Sequence, residues 1–170
     1  MKKTIDQLDS LHHQLLDIVS SIEENRFSRR PTEAEWSIAE VMHHLFLAEG
    51  WMLKELEKGL KRPPERLGAL RNIFKPPVWI TGLRLIRVKA PKRAEPLNPP
   101  PKATTIENYN DVRVKMKEMA TTEGRARLEQ IVAVHPILGK YNGAHLVSFA
   151  HYHELRHYKQ IKEIIRKISN

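Results

Sequence analysis

The chain contains no cysteine in its 170 residues. That absence excludes disulfides, thiolate metal sites and a cysteine nucleophile, so any metal here is held by His, Asp, Glu or water. No apolar run reaches the roughly 18–20 residues that a membrane-spanning helix needs. The N-terminus lacks the apolar core of a signal peptide. Nothing argues for secretion, and the cytoplasm is the expected compartment. Acidic residues are scarce in one stretch above all. Between Leu60 and Lys102 there are eleven Lys and Arg but two Glu, a local excess equal to the whole chain's formal charge of +9. The same stretch holds nine of the eleven prolines, which marks it as a connecting segment.

What remains is ordinary globular material, 41% hydrophobic and 29% charged, and the length suits one domain spanning residues 1–170. Ile5, Leu8, His12, Leu15, Val19 and Ile22 step by three and four, which predicts an amphipathic helix from Thr4 to Asn25. Ser37-Ile-Ala-Glu40 is a capping box. It opens a second helix, with Ile38, Val41, Leu45, Ala48, Met52 and Leu56 on one face and an end near Gly59. Thr104-Thr-Ile-Glu107 reads as another capping box, opening a third helix through Ile106, Tyr109, Met116 and Ala120. Gly124, Pro136 and Gly139 break the stretch from Thr121 to Lys140, and a final helix starts near Gly143. Four long helices without a convincing strand pair predict an all-α four-helix bundle. The segment at about 60–103 is far longer than the 2–8 residues usual between bundle helices. It serves as a crossover that lets the second and third helices run parallel, with short helices expected over 66–74 and 78–87.

The most informative feature lies on the last helix. Its apolar seam reads Leu146, Ala150, His153, His157, Ile161, Ile164, Ile168, so two consecutive seam positions are imidazoles. Each unpaired polar group there costs about 1–3 kcal/mol. Residues i and i+4 point the same way, and an ion shared by both rings removes the cost. His44, on the flank of the second helix's apolar face, is the candidate third ligand. At 1.5 Å per residue it stands about 21 Å from its helix's C-terminal end, and the pair about 15–21 Å from its helix's start. With the two helices antiparallel the three histidines can meet. Periodicity alone leaves His44 equally well explained as a packed histidine.

The segments Trp36-Ser-Ile-Ala-Glu-Val-Met-His-His44-Leu and His153-Glu-Leu-Arg-His157-Tyr-Lys-Gln160-Ile, with His135-Pro-Ile-Leu-Gly139 between them, resemble the DinB/YfiT-like superfamily of metal-binding four-helix bundles. The resemblance implies up-down-down-up topology, a homodimer, and a site of His44, His153 and His157 holding nickel or zinc, or else iron or manganese. Three protein ligands plus an open position is the pattern of a catalytic ion. Members include thiol S-transferases and isomerases that use low-molecular-weight thiols, and metal-dependent hydrolases. The resemblance specifies the site better than the reaction.

Other residues invite competing readings. His153-Glu154-Leu-Arg-His157 matches the H-E-x-x-H pattern of zinc proteases, in which the Glu is the general base. Only thirteen residues follow His157, too few for a downstream ligand helix, and Glu154 reads as a solvated helix residue. Glu49, at the edge of an apolar face, is a candidate catalytic carboxylate with a perturbed pKa. Glu40 is either a cap or an acceptor that orients His44. His12 reads as a hydrogen-bonded core or rim histidine, His135 as structural or pocket-lining, and His13, His43, His145 and His151 as exposed or half-exposed. Arg156 and Gln160 recur in the resemblance, although packing explains them equally well.

The expected function is therefore a metal-dependent enzyme acting on a small molecule, by thiol transfer or hydrolysis, without a protein nucleophile. The opposing expectation is a non-catalytic protein with a structural metal. Its basic segment, with Arg84, Arg87, Lys89, Lys92 and Arg93, would contact an anionic partner. Nucleic acid is not favoured for that role, because no known nucleic-acid module is visible.

Overall fold

The three- and four-residue apolar steps at the N-terminus form α1 (Lys2–Ser20), which buries Leu8, Leu11, His12, Leu15 and Val19. It ends before the expected Asn25. Ser21 Oγ donates to the Ile18 carbonyl at 2.8 Å, a local bond that competes with helix continuation. A separate turn, α2 (Glu24–Ser28), buries Phe27. The computed structural model describes residues 1–66, 78–83, 89–135 and 139–169.

The second long helix, α3 (Ile38–Leu60), begins as its capping box predicts. The Glu40 amide donates to Ser37 Oγ at 3.2 Å, and the Ser37 amide donates to Glu40 Oε2 at 2.8 Å. The next, α4 (Lys102–Leu128), starts two residues before the expected box. Its N-cap is Pro101, whose fixed φ suits a helix entrance, and the Thr105 hydroxyl donates to the Pro100 carbonyl at 2.9 Å. Gly124, at φ +68°, interrupts α4 where the sequence places a break. A short antiparallel hairpin of β1 (Val132–His135) and β2 (Gly139–Asn142) follows, pairing Val132 with Asn142 and His135 with Gly139. It is an addition to the expected all-α fold. The last helix, α5 (Gly143–Ser169), is capped by Asn142, whose Oδ1 accepts from the His145 amide at 2.8 Å.

Side-chain pairings set the helix directions. His12 of α1 meets Glu154 of α5, and Arg26 just beyond α1 meets Ser169, so these helices run parallel. Ile38–Leu45 of α3 cluster with Tyr109 of α4, and Met52–Leu56 cluster with Val112, Met116 and Ala120, so α3 and α4 are also parallel. His44 meets His153 while Leu56 stands against Gly143, so α3 is antiparallel to α5. The order is up-down-down-up.

The basic segment contributes 3₁₀ turns at Val78–Leu83 and Lys92–Ala94. The first packs on α5, where Lys159 Nζ donates to the Gly82 carbonyl at 2.9 Å. The expected helix over 66–74 falls almost wholly outside the described residues, as does the end of the one over 78–87, with Arg84 and Arg87. No helix among the described residues is long and apolar enough to cross a membrane.

Candidate metal centre

His153 and His157, one turn apart on α5, turn their rings toward His44 on α3. The Nε2 atoms of His44 and His153 lie 3.3 Å apart, and those of His153 and His157 lie 3.2 Å apart. One ring nitrogen from each of the three falls within 4.8 Å of the others, and all three residues are buried. Tetrahedral zinc with imidazole nitrogens at 2.0–2.1 Å holds those nitrogens about 3.3–3.4 Å apart. Two of the three spacings match that value, and the remaining pair, His44 and His157, lies within 4.8 Å.

The outer nitrogens fix which atoms face inward. His44 Nδ1–H donates to the Ala94 carbonyl at 2.7 Å, and His157 Nδ1–H donates to Gln160 Oε1 at 2.9 Å. Each bond leaves the ring's Nε2 as a lone pair aimed at the other histidines. A proton on His153 Nε2 satisfies one such lone pair, whereas a cation satisfies all three. Burial is the main influence that pushes the His44 and His153 pKa values down, His153 far more so, with His157 and His44 adding to its shift. Both are thus held in the neutral form that binds metal.

Two sequence expectations are corrected here, and of the two readings of Glu40 the cap is the one that holds. Glu40 does not orient His44. Its carboxylate accepts from Ser37 and from Arg30, and the Ala94 carbonyl of the crossover takes the orienting role. Glu154 is not solvated but fully buried. It faces away from the histidines, accepting from His12 Nδ1 at 3.0 Å and Tyr109 Oη at 2.9 Å and pairing with Arg113 at 3.0 Å. The H-E-x-x-H match is therefore a coincidence of two faces of one helix. His151 is buried rather than half-exposed and lines an open groove of about 710 Å³ between α1 and α5, in which none of the three clustered histidines takes part.

Glu49, read from the edge of an apolar face as a pocket carboxylate, is fully buried in the core. Its Oε1 accepts from Arg113 at 2.7 Å and lies 2.8 Å from Tyr109 Oη, whose single proton it shares with Glu154. His12 is the hydrogen-bonded core histidine expected, and Gln160 has the specific role of holding His157. The sequence reading missed Arg113. It occupies a seam position between Tyr109 and Met116, and a charge at that register was the available signal. His135 lies beside the site, its ring 5.4 Å from Trp51 and 4.8 Å from Phe149, and Phe149 stacks on His153 at 5.5 Å.

The model of the DinB superfamily matches residues 7–161. The chain belongs to that superfamily. A relative within reach of sequence comparison is the uncharacterized protein YuaE of Bacillus subtilis (strain 168), 25% identical over 150 residues, covering 88% of this chain and 90% of the relative. Among solved structures, Bacillus subtilis YfiT, described as a probable metal-dependent hydrolase with an unusual four-helix bundle topology, superposes with a TM-score of 0.67. The identity is 13%, with 99% of this chain and 87% of that one covered. A second, TT2238, described as a four-helix bundle protein, gives 0.62 at 15% identity over 95% of this chain and 98% of the other. At these identities the likeness establishes the bundle fold of this DinB-superfamily chain.

Proposed function

We propose that this DinB-superfamily protein is a divalent-metal-dependent enzyme acting on a small molecule, with His44, His153 and His157 as the metal ligands. The observation that carries the proposal is the convergence of three buried imidazoles, two of them locked by Nδ1 hydrogen bonds with Nε2 directed inward. The description of YfiT as a metal-dependent hydrolase supports the hydrolytic form, and thiol transfer would use the same open position. Imidazole ligands suit zinc and nickel, and also iron.

A bound divalent ion would supply Lewis acidity and lower the pKa of a water or thiol at its open position. The protein's part is positional. Ala94 and Gln160 hold the His44 and His157 rings in one tautomer and orientation. Phe149, stacked on His153, keeps water from one face of that ring. Trp36, with its ring 5.2 Å from that of His44, covers another side. With no cysteine in the chain, and Glu49 and Glu154 both engaged in the core, no protein nucleophile is assigned.

Protein loaded in turn with zinc, nickel and manganese, assayed on ester, amide and thiol-acceptor panels, tests the proposal. The expected result is turnover with at least one metal that His153→Ala and His157→Ala abolish while circular dichroism stays unchanged. Turnover that survives both substitutions would contradict it.

A further inference from the structure

Resting on the metal site proposed above, we infer that Arg93 is an anion-recognising residue of that site and that the small molecule bound there carries a carboxylate. Arg93 sits on the Lys92–Ala94 turn, one residue before the carbonyl that orients His44. Its guanidinium lies over the Trp51 ring, 5.4 Å from the centroid. No carboxylate among the described residues pairs with it. A guanidinium held over an aromatic face keeps N–H groups free for a planar, bidentate partner.

Ring contacts connect Arg93 to the histidine cluster. The Trp51 ring beneath it packs against His135, and His135 reaches His153 through Phe149. The His135 pKa is pushed down to about 4, chiefly by burial and then by the Arg93 charge.

Charge balance points the same way. Three neutral imidazoles leave a dication's charge uncompensated. The acids that might offset it are turned elsewhere, Glu154 and Glu49 to Arg113 and Glu40 to Arg30. A neutral ligand set, with a guanidinium on the turn whose carbonyl holds His44, selects an anionic guest.

The test uses ω-mercaptocarboxylates with two to five methylenes and the matching neutral mercaptoalcohols, titrated calorimetrically into zinc-loaded protein after its metal content is measured. Both series offer the same sulfur ligand, so their difference isolates the carboxylate. At one chain length at least, the carboxylate should bind about tenfold more tightly than its alcohol. Arg93→Gln should abolish that preference while the metal is retained, and Arg93→Lys should restore part of it. Equal binding of acids and alcohols at every length in metal-loaded wild type would overturn this inference alone. A preference that survives Arg93→Gln would do the same. Failure of the wild type to take up metal would overturn the metal site itself, and this inference with it.

Discussion

Arg113 is a fully buried cation between two fully buried carboxylates, Glu49 at 2.7 Å and Glu154 at 3.0 Å. Burial opposes its charge, and the two acids outweigh that effect, so it stays protonated. Removing one partner of a buried ion pair costs about 3–5 kcal/mol, because the remaining charge stays desolvated. Arg113→Leu should therefore lower unfolding free energy by about that much in a guanidinium titration, and adding Glu154→Leu should recover part of the loss. One cation cannot neutralise two carboxylates. Burial, joined by the Glu154 charge and opposed by Arg113, pushes the Glu49 carboxyl up to about 8. An unfolded glutamate titrates near 4.3. Between those values the folded state keeps a proton that the unfolded chain has released, so Glu49 makes stability fall as pH rises through that window. Glu49→Gln should flatten this decline when stability is compared from pH 5 to 8. An unchanged slope would mean that Glu49 is ionised in the fold. Only half of this network was legible in the sequence. Glu49 stood at the edge of an apolar face, but Glu154 resembled the general base of a protease and otherwise a surface residue, because its partners lie on two other helices.

At the scale of elements, the sequence spoke clearly where one local signal governs and less clearly where two compete. The Ser37–Glu40 capping box sets the start of α3, and with it the height of His44. Ser37→Ala should cost about 1 kcal/mol, read as a lower midpoint of thermal unfolding, with the histidine cluster retained. An unchanged midpoint would show that packing of Ile38 and Val41 alone fixes this start. Thr104–Glu107 offered the same pattern, yet the proline run ending at Pro101 pre-set the helix entrance three residues earlier. The hairpin of β1 and β2 escaped notice because four residues a side give too short a period-two pattern. Its turn residue Gly139, at φ +76°, was visible as a break. The Ala94 carbonyl behind His44 had no sequence signal at all. A backbone acceptor fifty residues away is set by how the crossover returns to α3.

For the molecule as a whole, the long basic crossover and the histidine site are one design. The crossover lets α3 and α4 run parallel and α5 return antiparallel to α3, which sets His44 opposite His153 and His157. It then brings the Ala94 carbonyl back to His44. Spacing alone made the α5 pair legible, whereas His44 needed the family resemblance, since a single flanking histidine has no periodicity of its own. The most direct test is metal content by elemental mass spectrometry on untagged wild type and His157→Ala. Near-stoichiometric divalent metal in the wild type and its loss from the variant is the expected result. Wild type without metal after supplementation with zinc, nickel, iron and manganese, or a variant that retains the full complement, would contradict the assignment of His44, His153 and His157 as the metal site.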